Sequence, residues 1–190
     1  MEVLFHNCTV VFIDENKIQK ENRMYKINKI FLAMGLFLPM FAYSGEAQVK
    51  WHSFDKYSDV RPGNKLPKEQ YYQDVAAHFE KHFNKLAEEL PKDYILNVEV
   101  TELDLAGNVH LGTVNEFRVL KSIYFPRIDF NYFVSDKAGN IISEANDVKL
   151  KDMRFMDRIK MGRDEAYYYD KRLITDWFED DLQPTLNLSE

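Results

Sequence analysis

Apolar residues recur every three or four positions between two prolines, Pro67 and Pro91. They fall on one face of a helix of that length: Tyr72, Val75, Phe79, Phe83, Leu86 and Leu90. Proline is favoured in the first turn of a helix and stops a helix that reaches it. The spacing therefore predicts an amphipathic helix that begins near Lys68 and buries this face.

Several other segments alternate apolar and polar residues, which is typical of half-buried strands. The clearest are residues 94–101 and 127–134. A glycine-containing turn at residues 135–140 predicts a hairpin, from which the chain returns through residues 141–150. A shorter alternation at residues 49–52 predicts a further strand near the start of the domain.

A second helix is predicted after an irregular stretch, with Asp164 as its N-cap and Pro184 at its end. Its apolar face consists of Ala166, Tyr169, Leu173 and Trp177, widened by Ile174 and Phe178. The pattern predicts that Trp177 is buried between helix and sheet, together with Phe79 of the first helix.

These elements predict an α+β fold. Two amphipathic helices need a shared apolar surface, and one face of an antiparallel sheet supplies it. We expect a two-layer sandwich in which an antiparallel sheet of about four strands carries both helices on one face. The single domain should span residues 45–184, with residues 185–190 as a flexible tail.

A targeting signal precedes this domain at residues 24–44. Basic Lys26 and Lys29 lead into an apolar run at residues 30–42 and a small-residue exit, the layout of a secretory signal peptide. The run is shorter than the ~20 residues that a membrane-spanning helix needs. We therefore expect cleavage after Ser44 or Ala47, no membrane anchor after cleavage, and a periplasmic protein.

Residues 1–23 lie upstream of that signal and contain Asp14, Glu15 and Glu21. The first region of a signal peptide normally carries basic charge. We expect translation to start at Met24, which makes residues 1–23 a mis-assigned upstream extension. The alternative is a genuine but unusually long first region of the signal.

Composition excludes several functional classes. Residues 45–190 contain 20 basic and 27 acidic residues, a net charge of −7. Such a domain is poorly suited to nucleic-acid phosphates, and it has no polybasic helix that would bind anionic lipid. The single cysteine, Cys8, lies upstream of the signal, so the domain has no disulfide and no cysteine nucleophile.

The motifs of common catalytic and cofactor sites are absent from this sequence. It contains neither a glycine-rich phosphate loop nor a GxSxG nucleophile elbow, and we expect no cofactor. His78 and His82 are the one metal-like pair, but they lack the HExxH arrangement, and we interpret them as neighbours of the buried face. The remaining enzyme hypothesis is a carboxylate-dependent hydrolase acting on an envelope substrate through Asp104 or Asp152.

Several short segments, taken in their order and spacing, resemble one protein family. They are residues 54–62, 103–107, 126–128, 150–153, and 169–172 followed by 176–178. Over nearly all of residues 49–182 the chain is similar to the exported bacterial proteins grouped as domain of unknown function 3016. The resemblance implies an envelope location in Gram-negative bacteria, and it transfers no catalytic residue.

Charged residues of those segments lie where predicted strands or helices meet loops. They are Asp59, Arg61, Asp104, Arg127, Asp152 and Arg172. Buried charge is costly unless it is paired. We expect several of these residues to pair with one another and fix loops onto the sheet, and the alternative is a direct role in binding.

The second face of the sheet is a candidate binding surface. If the helices cover the side that bears Ile128 and Phe130, then Asp129, Asn131 and Phe133 face outward. We interpret this outward face as the docking surface of a non-catalytic envelope module. Its partner would be an envelope protein, a peptide, a glycan or a second copy of the chain.

Overall fold

The computed structural model describes residues 45–110, 116–157 and 165–186. The elements along the chain are β1 (Glu46–Trp51), α1 (Lys68–Ala87), β2 (Ile95–Asp104), β3 (Asn108–Val109), β4 (Arg118–Val119), β5 (Arg127–Ser135), β6 (Ile141–Lys151) and α2 (Tyr168–Trp177), with short 3₁₀ turns at Phe54–Lys56 and Phe155–Asp157. The predicted α+β two-layer sandwich is confirmed. The proposed signal peptide and the residues before it lie outside the described ranges, as does Asp164.

The main sheet has the strand order β1–β2–β5–β6, and β3 pairs with β4 beside it. Strands β2, β5 and β6 are antiparallel neighbours, as predicted, and the hairpin joins β5 to β6. Strand β1, however, runs parallel to β2, so the sheet is mixed. The antiparallel prediction is wrong at this edge because α1 crosses over between the two strands and returns the chain to its starting end.

Helix α1 follows the predicted face closely. It buries Val75, Phe79 and Phe83 fully, and its regular helix ends at Ala87. The Oδ1 atom of Asn84 accepts a hydrogen bond of 3.1 Å from the backbone N–H of Ala47 in β1. Helix α1 therefore covers one face of the sheet, and its Asn84 side chain also provides a hydrogen-bond acceptor for a backbone N–H of the edge strand β1.

Helix α2 begins at Tyr168, so the prediction of Asp164 as N-cap is wrong. The preceding Tyr167 has left-handed backbone (φ 57°), and its carbonyl accepts the N–H of Lys171 at 2.9 Å. Helical backbone then continues through a π-helical turn, Phe178–Leu182, and a short α3, Gln183–Thr185. Pro184 does not end the helix, because it lies in the first turn of α3. Proline is tolerated in a first turn, since a backbone N–H there is not needed for the hydrogen bonds of the helix.

The core lies between the two helices and one face of the sheet. Trp177 is 4% exposed and Phe79 is fully buried, as predicted. The Trp177 ring packs edge-on against Phe130 and Tyr132, with ring centroids 4.8 and 5.1 Å apart. Within the described ranges, none of the helices is both long enough and apolar enough to cross a bilayer.

Candidate functional site

The face of the sheet opposite the helices is the surface predicted for binding, and Phe133 lies on it near the hairpin end of the inner strand β5. Phe133 is 41% exposed, while Asp129 and Asn131 on the same face of β5 are half-buried. Across the strands, Phe133 is paired with Asn97 of β2 and Glu144 of β6. Phe133 is therefore an exposed ring in a mainly polar surface, which we call the open face, and the exposed Ile141 and Ile142 lie nearby at the start of β6.

Ion pairs cross the open face. The Nζ atom of Lys50 donates to Glu99 at 2.7 Å, and this hydrogen bond, with weaker contributions from His52 and Asn131, lowers the pKa of Glu99 to about 2. Arg127 donates to Asp104 through Nε at 2.9 Å and also through Nη2. The basic member of each pair is largely exposed to water, so these pairs add little stability and mainly set the charge of the face.

Acidic residues outnumber basic ones on the open face and its rim. The acidic set is Glu46, Glu99, Glu102, Asp104, Asp129, Glu144 and Asp147, against Lys50, Arg127, Lys149 and Lys151. Burial raises the pKa of Asp129, and the charge of neighbouring Glu102 adds to the rise. The open face therefore has a net negative charge, which favours basic ligands.

A second constellation lies at the end of β2, where Arg118 joins three segments. Its Nη1 atom donates to Asp59 Oδ2 at 3.0 Å and to the carbonyls of Leu105 at 3.1 Å and Gly107 at 2.8 Å. The side chains of Arg118 and Asp59 are only 18% and 12% exposed. We call these residues the Arg118 clamp, because they fasten the loop before α1 and the loop after β2 to β4.

Gly107 is required at this point of the clamp. Its φ of 83° is in the left-handed region, which side chains disfavour. A Cβ atom placed there would lie 2.6 Å from the carbonyl oxygen of Val119. The clamp therefore depends on a close backbone approach that glycine alone permits without strain.

Asp170 and two tyrosines link the helices to the clamp. Asp170 accepts the backbone N–H of Ala106 at 2.8 Å, and burial raises its pKa to about 7. Burial raises the pKa of the Tyr71 hydroxyl, and the neighbouring Arg118 and Tyr167 side chains oppose this rise. The constellation thus joins α1, α2 and both loops through buried polar groups, which are expensive to leave unpaired.

Asp170 should make stability depend on pH. Because its folded-state pKa lies above the ordinary 3.8, it contributes stability that is complete below about pH 4 and is lost as the pH rises through about 7. We expect Asp170→Asn to remove this loss. Urea unfolding at about pH 5 and about pH 8 should then show a smaller difference in unfolding free energy for the variant than for the wild type.

His82 acts in the opposite sense and serves as an internal control. Burial lowers its pKa to about 4, so its stabilising neutral form is lost as the pH falls from about 6.5 to about 4. Both proteins contain His82, and its contribution cancels when they are compared. Equal pH dependence in the wild type and Asp170→Asn would contradict the role given to Asp170.

The six charged residues singled out in the sequence do not form one site. Asp104 and Arg127 pair with each other across β2 and β5. Asp59 is held by Arg118, a residue that the sequence reasoning missed. The family segments therefore meet at two neighbouring ion pairs beside the end of β2.

The other charged candidates lie elsewhere. Arg172 donates from Nε to Asp176 at 2.8 Å, one turn along α2. Asp152 accepts the backbone N–H of Arg154 at 3.0 Å in a turn after β6, and Arg61 is exposed on the loop before α1. These positions are consistent with local structural roles.

The two histidines have separate surroundings. The Nε2 atom of His82 lies 2.9 Å from the Lys171 carbonyl and 3.0 Å from Thr175 Oγ1. The Nε2 atom of His78 lies 3.8 Å from a carboxylate oxygen of Asp74. In the part of the chain that the structure describes, no group of three or more His, Cys, Asp or Glu residues is arranged to hold a metal ion.

Comparison with known proteins adds one finding. Residues 45–180 match the family model described as protein of unknown function (DUF3016). This confirms the resemblance seen in the sequence segments, several of which meet beside the Arg118 clamp. No curated protein and no solved structure matches the chain.

Proposed function

We propose that this chain, which belongs to the DUF3016 family, is a non-catalytic binding module of the bacterial cell envelope. Its partner would be a protein that docks on the open face. The observation that carries the proposal is Phe133, a 41% exposed ring on an inner strand of a face that the helices leave uncovered. An aromatic anchor surrounded by polar groups is typical of the centre of a protein interface.

Charge favours a basic partner over a second copy. The open face has an excess of acidic groups, so two such faces would repel each other. Pairing of two β6 edges is also disfavoured, because the strand is interrupted by a bulge at Asp147, whose φ is 59°. We therefore infer that the partner presents Lys or Arg side chains around an apolar residue that covers Phe133.

The carboxylates of the hydrolase hypothesis have protein partners. Asp104 Oδ2 accepts two hydrogen bonds from Arg127, and Asp152 Oδ1 accepts the N–H of Arg154. A general acid or base must be free to exchange a proton with the substrate. These contacts support a binding role over hydrolysis.

Photo-crosslinking in intact cells tests the docking surface. We expect a photoreactive amino acid at position 133 to capture a basic protein, whereas the same amino acid at Gln73, exposed on α1, captures none. Charge reversal by Glu144→Lys, directly across from position 133, should abolish the product because it repels the basic partner. Mass spectrometry identifies the captured protein.

Two outcomes of that experiment would count against the proposal. Equal capture of the same protein from positions 133 and 73 would show that the open face is not distinguished from the helical side. Undiminished capture in the Glu144→Lys background would show that charge does not select the partner.

Export is the second part of the proposal, and residues 24–44 would direct it. We expect residues 24–47 fused to alkaline phosphatase, which is active only after export, to give an active reporter. Leu36→Arg, which places a charge in the apolar run, should make the same fusion inactive. The mature form of the full-length protein should begin at Gly45 or Gln48 by mass. Inactivity of the fusion that keeps Leu36 would refute export.

A further inference from the structure

A cleft of about 300 Å³ opens where β2 ends and β5 begins. Its lining includes Ser58, Asp59, Asp104, Asn108, Tyr124 and Arg127. This volume is at the lower end of the range of small-molecule sites. The cleft lies beside the open face and shares Asp104 and Arg127 with its edge, but Phe133 is not part of it.

The charges of the cleft are already balanced. Asp59 is paired with Arg118 at 3.0 Å, and Asp104 is paired with Arg127. A cationic ligand would lie close to a guanidinium at each carboxylate, and an anionic ligand would lie close to the carboxylates themselves. The balance therefore favours a ligand without net charge.

Hydrogen-bonding capacity nevertheless remains in the cleft. Both carboxylates use Oδ2 in their ion pairs, and no described residue donates a hydrogen bond to the Oδ1 atom of either. The Asn108 side chain can both donate and accept, as can the Ser58 hydroxyl. Closely spaced donors and acceptors of this kind match adjacent hydroxyl groups, each of which also does both.

Apolar groups form the outer wall of the same cleft. Ile123 is 69% exposed and Tyr124 is 36% exposed. Phe125 is also in the lining, with the Arg127 guanidinium 5.4 Å from its ring centroid. Such a wall can cover the C–H surface of a sugar ring while the polar residues bind its hydroxyl groups.

From the balanced charge, the spare hydrogen-bonding groups and the aromatic wall, we propose that this cleft binds a neutral saccharide. The inference goes beyond docking of a protein on the open face, since it concerns a different ligand class at a different site. Loss of one activity by mutation therefore need not affect the other.

NMR titration of the purified domain with glucose, N-acetylglucosamine and chitobiose tests the site. We expect at least one of them to give saturable shifts at the amides of Gly107, Asn108 and Tyr124. Asn108→Ala and Tyr124→Ala should each weaken this binding about tenfold, which corresponds to ~1.4 kcal/mol. Phe117→Ala, at a 54% exposed aromatic in the neighbouring cleft, is the matched control and should bind as the wild type does.

The same spectra show whether each variant is folded, so a loss of saccharide binding can be distinguished from unfolding. The proposal is overturned if none of the three saccharides shifts these amides, or if the shifts persist unchanged in both cleft variants. It is also overturned if charged glucosamine or glucuronate binds more tightly than the neutral sugars. Phe133→Ala should leave saccharide binding intact, which separates this result from the test of the docking surface.

Discussion

Replacing Arg118 with methionine should lower the free energy of unfolding by about 3–5 kcal/mol, the cost of removing one partner of a buried ion pair. Asp59, only 8% exposed, would keep its charge without the guanidinium that balances it. The carbonyls of Leu105 and Gly107 would lose the same donor. Urea denaturation of the two proteins measures the difference.

Arg127→Met is the matched control for that experiment. Its ion pair with Asp104 is also an Arg–Asp pair, but the Arg127 side chain is 48% exposed. We expect this variant to lose at most about 1 kcal/mol, because water screens an exposed pair. If Arg118→Met costs no more than Arg127→Met, the Arg118 clamp does not hold the two loops in place.

Truncating Trp177 to alanine should cost ~3–5 kcal/mol, as large aromatic deletions in cores do. Trp177 is 4% exposed and packs edge-on against Phe130 and Tyr132, so its removal leaves a cavity between α2 and the sheet. The midpoint of urea unfolding should fall while its slope stays constant.

Phe117→Ala provides the comparison at an exposed aromatic. Phe117 is 54% exposed, and we expect its truncation to change stability by at most ~0.5 kcal/mol. Comparable losses in Trp177→Ala and Phe117→Ala would be incompatible with Trp177 as a central core residue.

The long helices and strands were predictable because the spacing of apolar residues along each of them shows which side chains are buried. The apolar spacing of α1 identified Phe79 and Phe83, and both are fully buried. The alternation along β5 separated Phe130, which is buried, from Phe133, which is exposed. A local period is enough for such assignments, since each depends on the geometry of one helix or one strand.

The direction of β1 and the start of α2 were not predictable in the same way. Alternation shows that a segment is a strand but contains no information on the direction of its neighbour. The left-handed backbone of Tyr167 is stabilised by packing, since its ring lies 5.6 Å from that of Phe79 in a distant helix. The start of α2 just after Tyr167 therefore depends on a tertiary contact that the local sequence does not show.

The polar constellation was only partly visible in the sequence. Arg118 lies in a two-residue strand, which is too short to show an alternation of apolar and polar residues. Its partner Asp59 is 59 positions away in the sequence. Asp170 did carry a signal, because it occupies the apolar face of α2 with Leu173 and Trp177, where an acidic residue is out of place. A carboxylate at such a position indicates a buried hydrogen-bond partner, here the Ala106 N–H.

Phe133 should contribute most of the affinity of the open face for its basic protein partner. The most direct measurement is the affinity of the purified domain for the crosslinked partner, compared among wild type, Phe133→Ala and Phe117→Ala. We expect Phe133→Ala to bind at least about tenfold more weakly, Phe117→Ala to bind normally, and added salt to weaken binding. Equal affinity of Phe133→Ala and wild type would show that Phe133 does not anchor the partner on the open face.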